Sequence, residues 1–314
     1  MREKRRFAER TRISKEDRTI KKYFLVFEGN RTEGIYFNAI NELKDKIGIN
    51  PLIEIISIER TYTEEGWSNP KKILEQLLKD LEEIENGKFS YKTLVDKIIE
   101  IIMEDEKFFS KISKETSSKE IIEDIKNEIE SLDSIVENIE EDCEFFLNMI
   151  IKNFFLTIEE IPNILETVLK NIENKQITYS EDIDKMCLIV DRDKKSFKEG
   201  QYNYVKEECK RKNFKFYVTN PCFEFWLLLH FDEVHSINRE KLLENKRASS
   251  KVRYVESELK KYFPYNKNKY NAELLIEKID LAIENEKRFC EDIEELKDKL
   301  GSNIGLLIKE LKEK

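Results

Sequence analysis

Two hydrophobic runs that stop at acidic residues constrain this chain more than any other feature: Tyr23-Phe-Leu-Val-Phe-Glu28-Gly-Asn-Arg-Thr-Glu33 and Met186-Cys-Leu-Ile-Val-Asp191-Arg-Asp193. Short unbroken apolar runs read as strands buried on both faces, which is the situation of a parallel sheet with helices on either side. In an open α/β sheet of that kind, ligands sit at the carboxyl ends of the strands. The acids fall at those ends. Three carboxylates on adjacent strand ends repel one another, and a divalent cation relieves the repulsion. Ligands that are all oxygen favour Mg2+ or Mn2+.

The chain has 314 residues, enough for one large core or two domains. It contains no apolar run of about 18 residues, so no membrane span is expected. The amino terminus is charged and has no apolar signal segment. The cysteines (Cys143, Cys187, Cys209, Cys222, Cys290) are odd in number, widely spaced and without a CxxC pair. That pattern argues against a zinc knuckle or disulfide scaffold and points to a reducing cytoplasm. Two histidines, His230 and His235, are too few for a histidine-rich metal site.

The net charge of −9 hides a strong asymmetry. Residues 1–22 hold ten Lys/Arg against four Asp/Glu, whereas residues 121–144 hold ten Asp/Glu against one Lys. A basic arm reads either as a phosphate-binding segment with salt-dependent affinity or as a solubilising tail.

The pattern along the chain divides it into a basic flexible arm (1–20), the first part of an α/β core (21–78), a helical insertion (79–180), the second part of the core (181–235) and a helical carboxyl-terminal region (236–314). Strands are expected over 21–28, 52–60, 186–190 and 214–218. Helices are expected over 32–46, from Pro70 onward, over 198–212 and from Phe223 to Phe231, then through most of 237–262 and 271–313. Thr32 is expected to cap its helix, and Gly301-Ser-Asn303 to start the last one with Ser302 or Asn303 as cap. The insertion reads as a small bundle, since its heptad spacing is not sustained.

Glu28 ends the first strand, and Gly29 lets the backbone turn there. Glu33 lies near the following helix start, where it reads as a site carboxylate or as simple dipole matching. In an extended segment Asp191 and Asp193 point to one side and Arg192 to the other, so both acids reach one cation. Arg192 pairs with an acid or touches a phosphate. Glu224 lies in the apolar stretch Thr219-Asn-Pro-Cys-Phe-Glu-Phe-Trp-Leu-Leu-Leu-His-Phe231, where a carboxylate needs a metal or a basic partner. Asn220 shapes or caps the turn there. His230 reads as a core hydrogen-bonding residue or as a catalytic one, and Cys222 has no Cys-His-acid arrangement to make it a nucleophile. Near the carboxyl end, Lys267, beside Tyr265 and Tyr270, and Lys287 are candidates for stabilising charge on a phosphate. Such a set suits phosphodiester chemistry, with a metal orienting the phosphate and Glu28 serving as proton acceptor, donor or ligand.

These segments resemble the RloB-like family, a branch of the Toprim superfamily. The resemblance lies in Phe27-Glu28-Gly29 with Thr32-Glu33 and Tyr36-Phe37, in Asp191-Arg192-Asp193, and in Asn220-Pro221-Cys222-Phe223-Glu224 through Trp226 and His230-Phe231. It covers roughly 21–70 and 183–300, and the region from about 80 to 180 has no counterpart. It implies a Toprim-like Rossmannoid core with a largely parallel sheet and a magnesium-dependent acidic set. In that set Glu28 has an acid/base role, and Asp191 and Asp193 hold the metal; Glu224, from its place in the apolar stretch, extends the acidic cluster as a further ligand or pairs with a lysine or arginine. The family occurs with restriction–modification and other antiphage loci, which implies a nuclease of DNA or RNA acting in defence. The implied partners are nucleic acid, another protein of the same system and a second copy of the chain. Two other readings stay open. One is nucleotidyl or phosphoryl transfer at the same site, although the chain lacks a GxxxxGK[ST] loop. The other is a noncatalytic nucleic-acid- or protein-binding subunit, which gains nothing from clustered negative charge.

Overall fold

The computed structural model describes residues 20–29, 31–58, 69–85, 91, 94–95, 98–99, 139–154, 179–180, 182–250 and 252–313. The expected arm over 1–20, apart from Ile20, and most of the insertion over 79–180 lie outside the described residues. Within the insertion, the end of α3 (Pro70–Glu85) and α4 (Ile139–Phe154) are helical, and residues 179–180 are not.

The first apolar run forms β1 (Lys21–Phe27), followed by α1 (Thr32–Glu42) and the short α2 (Lys44–Ile47), which stops at Gly48 in a left-handed conformation. Next come β2 (Ile53–Ile58) and α3. After α4 the second run forms β3 (Lys185–Asp191), followed by α5 (Glu199–Arg211), β4 (Lys215–Asn220) and α6 (Phe223–Leu228). The carboxyl-terminal region adds α7 (Arg239–Glu244), α8 (Tyr254–Tyr262), α9 (Glu273–Ile276), α10 (Ile279–Glu286), β5 (Gly301–Ser302) and α11 (Ile304–Lys312).

Among the described residues the sheet order is β2-β1-β3-β4-β5, parallel throughout except for β5, which runs antiparallel to β4. Side-chain alternation sorts the strands into two apolar layers. Tyr23, Leu25, Phe27, Cys187 and Ile189 pack beneath residues of α1, α6 and the carboxyl-terminal helices, including Tyr36, Phe37, Trp226 and Leu275. Phe24, Val26, Met186, Leu188 and Val190 pack against Leu74 of α3 and Tyr202 and Val205 of α5. Both faces are covered, which explains why the strands read as unbroken hydrophobic runs.

Several expected boundaries differ. Helix α1 gives way to α2 at Leu43, and the span 237–262 breaks between α7 and α8 into a hairpin bridged at Arg247 and Arg253. The span 271–313 is interrupted by the loop that carries β5. Gly301 and Ser302 are therefore strand residues, and the side chain of Asn303 does not cap α11. Instead its Oδ1 accepts from the Val218 amide at 2.6 Å and its Nδ2 donates to the Phe216 carbonyl at 3.2 Å, extending the edge of β4. The hydroxyl of Ser302 accepts from the Ile304 amide at 3.1 Å.

Candidate active site

Strand order reverses between β1 and β3, because the chain passes from β1 outward to β2 and then returns to the other side. Such a switch point opens a crevice at the carboxyl ends of its two strands. Glu28 leaves β1 and Asp191 ends β3 at this place. The Glu28 amide donates to the Ile189 carbonyl at 3.1 Å, continuing the ladder, and the Asp191 amide donates to Glu28 Oε2 at 3.0 Å. One carboxylate is thus fixed by the backbone that presents the other.

Alternation along β3 places Asp191 on the same layer as Cys187 and Ile189, toward α1 and α6. There its Oδ1 accepts from the Phe223 amide at 2.8 Å. Glu33, in the first turn of α1, is buried. Its carboxylate lies against Gly29, where an added Cβ would sit 2.9 Å from Glu33 Oε2. Glu224, in the first turn of α6, is also buried, and Tyr265 donates to its Oε1 at 3.0 Å. Thr32 does not cap α1. Its Oγ1 lies 3.1 Å from the Tyr265 hydroxyl, and its carbonyl accepts from Tyr270 at 2.6 Å. The 265–270 loop therefore closes over the cluster and fixes Glu224.

The electrostatics follow from this crowding. Burial pushes the Glu33 carboxyl up to about 8, with Glu224 and Glu28 adding repulsion and its own amide and Lys267 opposing. Desolvation raises Asp191 well above the usual carboxylate range, with Glu33 and then Glu224 adding to it, although the residue as a whole is only half-buried. Lys267 is pulled upward by Glu224 first, then by Asp191 and Glu33. Its residue is exposed and it forms no ion pair among the described residues, so it acts on the cluster through its field. Burial and neighbouring acids thus oppose ionisation of Glu33 and Asp191, and Lys267 counters the repulsion at both.

The other sequence candidates lie elsewhere in the local structure. Strand β3 ends at Asp191, so the alternation that would set Asp193 beside it does not continue. Asp193 opens a turn in which its Oδ1 accepts from the Lys195 amide at 3.0 Å, and its Oδ2 is 3.8 Å from Arg253. Among the described residues Arg192 meets no acid at ion-pair distance. It is buried against the rings of Phe197 and Tyr202 and donates to the Phe197 carbonyl. Asn220 donates to the Leu296 carbonyl at 2.7 Å and precedes a cis peptide bond to Pro221. Lys287 pairs with Glu284 at 2.5 Å on an exposed surface. His230 is fully buried; Nδ1 lies 3.1 Å from the carbonyls of Trp226 and Leu227, and Nε2 lies 3.0 Å from the Tyr36 hydroxyl. Two carbonyls at Nδ1 require the proton there, so Tyr36 donates to Nε2. Burial lowers this imidazole to about 4, keeping it neutral at pH 7, as a core residue.

The part of the site that local sequence patterns left unassigned is the Thr32–Tyr265–Tyr270 network. The only signal was the proximity of both tyrosines to Lys267. Among the described residues, no three His, Cys, Asp or Glu side chains form a ready-made metal cage. The donor chemistry fits a divalent cation even so: the carboxyls are oxygen donors, and their mutual repulsion is what a bound cation would relieve.

A doubly covered, mostly parallel sheet with acids gathered at its switch point defines a Rossmannoid α/β protein of the Toprim kind. The RloB-like protein family matches residues 23–311, and the chain belongs to that family, within the Toprim superfamily. No curated protein and no solved structure matches it. No helix among the described residues is long and apolar enough to cross a membrane.

Proposed function

We propose that this cluster is a Mg2+- or Mn2+-dependent phosphodiesterase centre that cleaves DNA or RNA. The observation that carries the reading is the convergence of Glu28, Glu33, Asp191 and Glu224 at one switch point, where burial and the neighbouring acids oppose ionisation of Glu33 and Asp191. Glu28, Asp191 and Glu224 are the residues that would hold the cation, with Asp193 at the rim. Once bound, the cation supplies charge neutralisation at the nonbridging oxygens of the phosphate. Glu28 accepts or donates the proton in flight, oriented by the Asp191 amide. Tyr265 holds Glu224 in place, and Lys267 offers positive charge to the phosphate as negative charge builds on it. Glu33 stays largely protonated at neutral pH, which lowers the repulsion the remaining acids must bear.

The family's association with restriction–modification and antiphage loci supports a role as a defence effector. A pure nucleic-acid binder is disfavoured, because buried carboxylates repel phosphate unless a cation intervenes. The test is cleavage of single- and double-stranded DNA and RNA in Mg2+ or Mn2+, comparing wild type with Asp191→Asn. Metal-dependent products from wild type, and none from a variant that still folds, are expected. Equal cleavage by both would remove the site from the reaction. Tight binding by wild type without product under any metal condition would favour a binding subunit.

A further inference from the structure

A second feature, of opposite sign, is joined to the elements that carry the acidic centre. Residues 246–254 (Lys-Arg-Ala-Ser-Ser-Lys-Val-Arg-Tyr) carry four Lys/Arg and no acid, in a chain whose net charge is −9. The described residues among them, 246–250 and 252–254, pair as a small hairpin. Arg247 bridges Arg253, the amides of Ala248 and Ser249 donate to the Val252 carbonyl at 2.9 and 3.1 Å, and the Tyr254 amide donates to Lys246 at 2.9 Å. Arg247, Ala248, Ser249, Ser250 and Arg253 are exposed, so the hairpin presents cations and hydroxyls rather than apolar side chains.

Its root is tied to the centre. Asn245, buried and left-handed at the end of α7, accepts from the Val255 amide at 3.0 Å and reaches Cys222 Sγ at 3.5 Å. Cys222 immediately precedes Phe223, whose amide holds Asp191. From the hairpin itself, Arg253 extends to Asp193 at 3.8 Å. That pair is part-exposed and long, so it is weak and easily exchanged for a phosphate. Lys246 is engaged by Glu244 at 2.9 Å. Arg247 has no ion-pair partner among the described residues.

We infer that this hairpin is a phosphate clamp: Arg247 and Arg253 grip the phosphodiester backbone of a nucleic acid and bring it to the carboxyl cluster. The inference rests on reading the neighbouring site as one that meets phosphodiesters. A centre built of carboxylates repels its own substrate, and exposed cations anchored at its edge supply the opposing attraction. Arginine suits the task, because its planar fork matches phosphate oxygens and it keeps its charge.

The test is fluorescence anisotropy of the full chain in EDTA, which prevents cleavage, across a salt series. The probes are labelled single-stranded DNA, single-stranded RNA, duplex DNA, and an oligoglutamate of matching charge. Wild type is expected to bind one or more of the nucleic acids. Arg247→Ala and Arg253→Ala should each reduce the slope of log affinity against log salt by about one. Lys260→Ala, on α8 outside the hairpin, should leave it unchanged. The hairpin's backbone–backbone bonds do not use the guanidinium groups, but Arg253 also donates to the Asn245 carbonyl at 3.4 Å, so unchanged thermal melting checks that the variants fold. If wild type binds and Arg247→Ala keeps the full slope, the clamp is refuted while the catalytic reading stands. If wild type binds no nucleic acid, the clamp falls, and the metal-dependent cleavage assay decides the catalytic reading separately. If oligoglutamate binds as well and shows the same dependence on Arg247, the hairpin docks an acidic protein segment and the nucleic-acid clamp is overturned.

Discussion

Replacing Glu33 by Gln isolates the electrostatic cost of the cluster. The Glu33 carboxyl is buried, and its titration is raised from the usual 4.5 to about 8. An unfolded chain releases this proton above pH 4.5, whereas the folded protein keeps it until about pH 8. Over that window the unfolded state binds fewer protons, so the group's contribution to stability is fully present below pH 4.5 and is lost as pH rises toward 8. At about 1.4 kcal/mol per pH unit, the loss accumulated by pH 7 is on the order of 3 kcal/mol. Gln keeps the shape and cannot ionise. The stability difference between Glu33→Gln and wild type should therefore grow with pH by about that amount between pH 4.5 and 7. Urea unfolding at several pH values measures it. Glu286 is also buried and pushed up to about 8, but it is present in both proteins and cancels in the difference. Curves for the two proteins that run parallel across the window would show that Glu33 ionises without penalty, and the account of the cluster would be wrong.

Tyr265→Phe removes the donor to Glu224 Oε1 and the partner of Thr32, and should cost about 1–3 kcal/mol in urea unfolding. The same variant should lower metal-dependent cleavage; unaltered cleavage would show that Glu224 needs no such orientation. Gly305→Ala would set a Cβ 2.1 Å from Oε2 of the fully buried Glu286, which accepts the Gly305 amide at 3.0 Å. The displaced carboxyl should destabilise the contact between α10 and α11 by about 1–3 kcal/mol, and a variant as stable as wild type would contradict this packing.

Much of the sheet was legible because strands buried on both faces leave an unmistakable pattern. The runs ending at Phe27 and Val190 define β1 and β3, and the acids after them mark where each run reaches the crevice. The meeting of Glu28 with Asp191 followed from that logic alone. The fate of Asp193 did not, because alternation holds only while the strand continues, and a turn begins at Asp193. Arg192 misled for a related reason: a charged residue between two acids suggests an ion pair, yet its guanidinium stacks on aromatic rings supplied by the following turn and helix. Strand β5 is two residues long and is held by side-chain bonds from Asn303, so no hydrophobic run announces it. The hairpin at 246–254 has neither Gly nor Pro to mark it. The link between Tyr265 and Glu224 spans 41 positions and leaves no local trace.

The central claim is that opposed carboxyls from separate elements form one cation site. Titration of the full chain with Mn2+, followed by the loss of the free-ion electron paramagnetic resonance signal, addresses it without relying on catalysis. Wild type should take up Mn2+ saturably and release protons at neutral pH as it does so, and Asp191→Asn should bind markedly more weakly while keeping its fold. Equal Mn2+ uptake by wild type and Asp191→Asn, or none by either, would contradict the account.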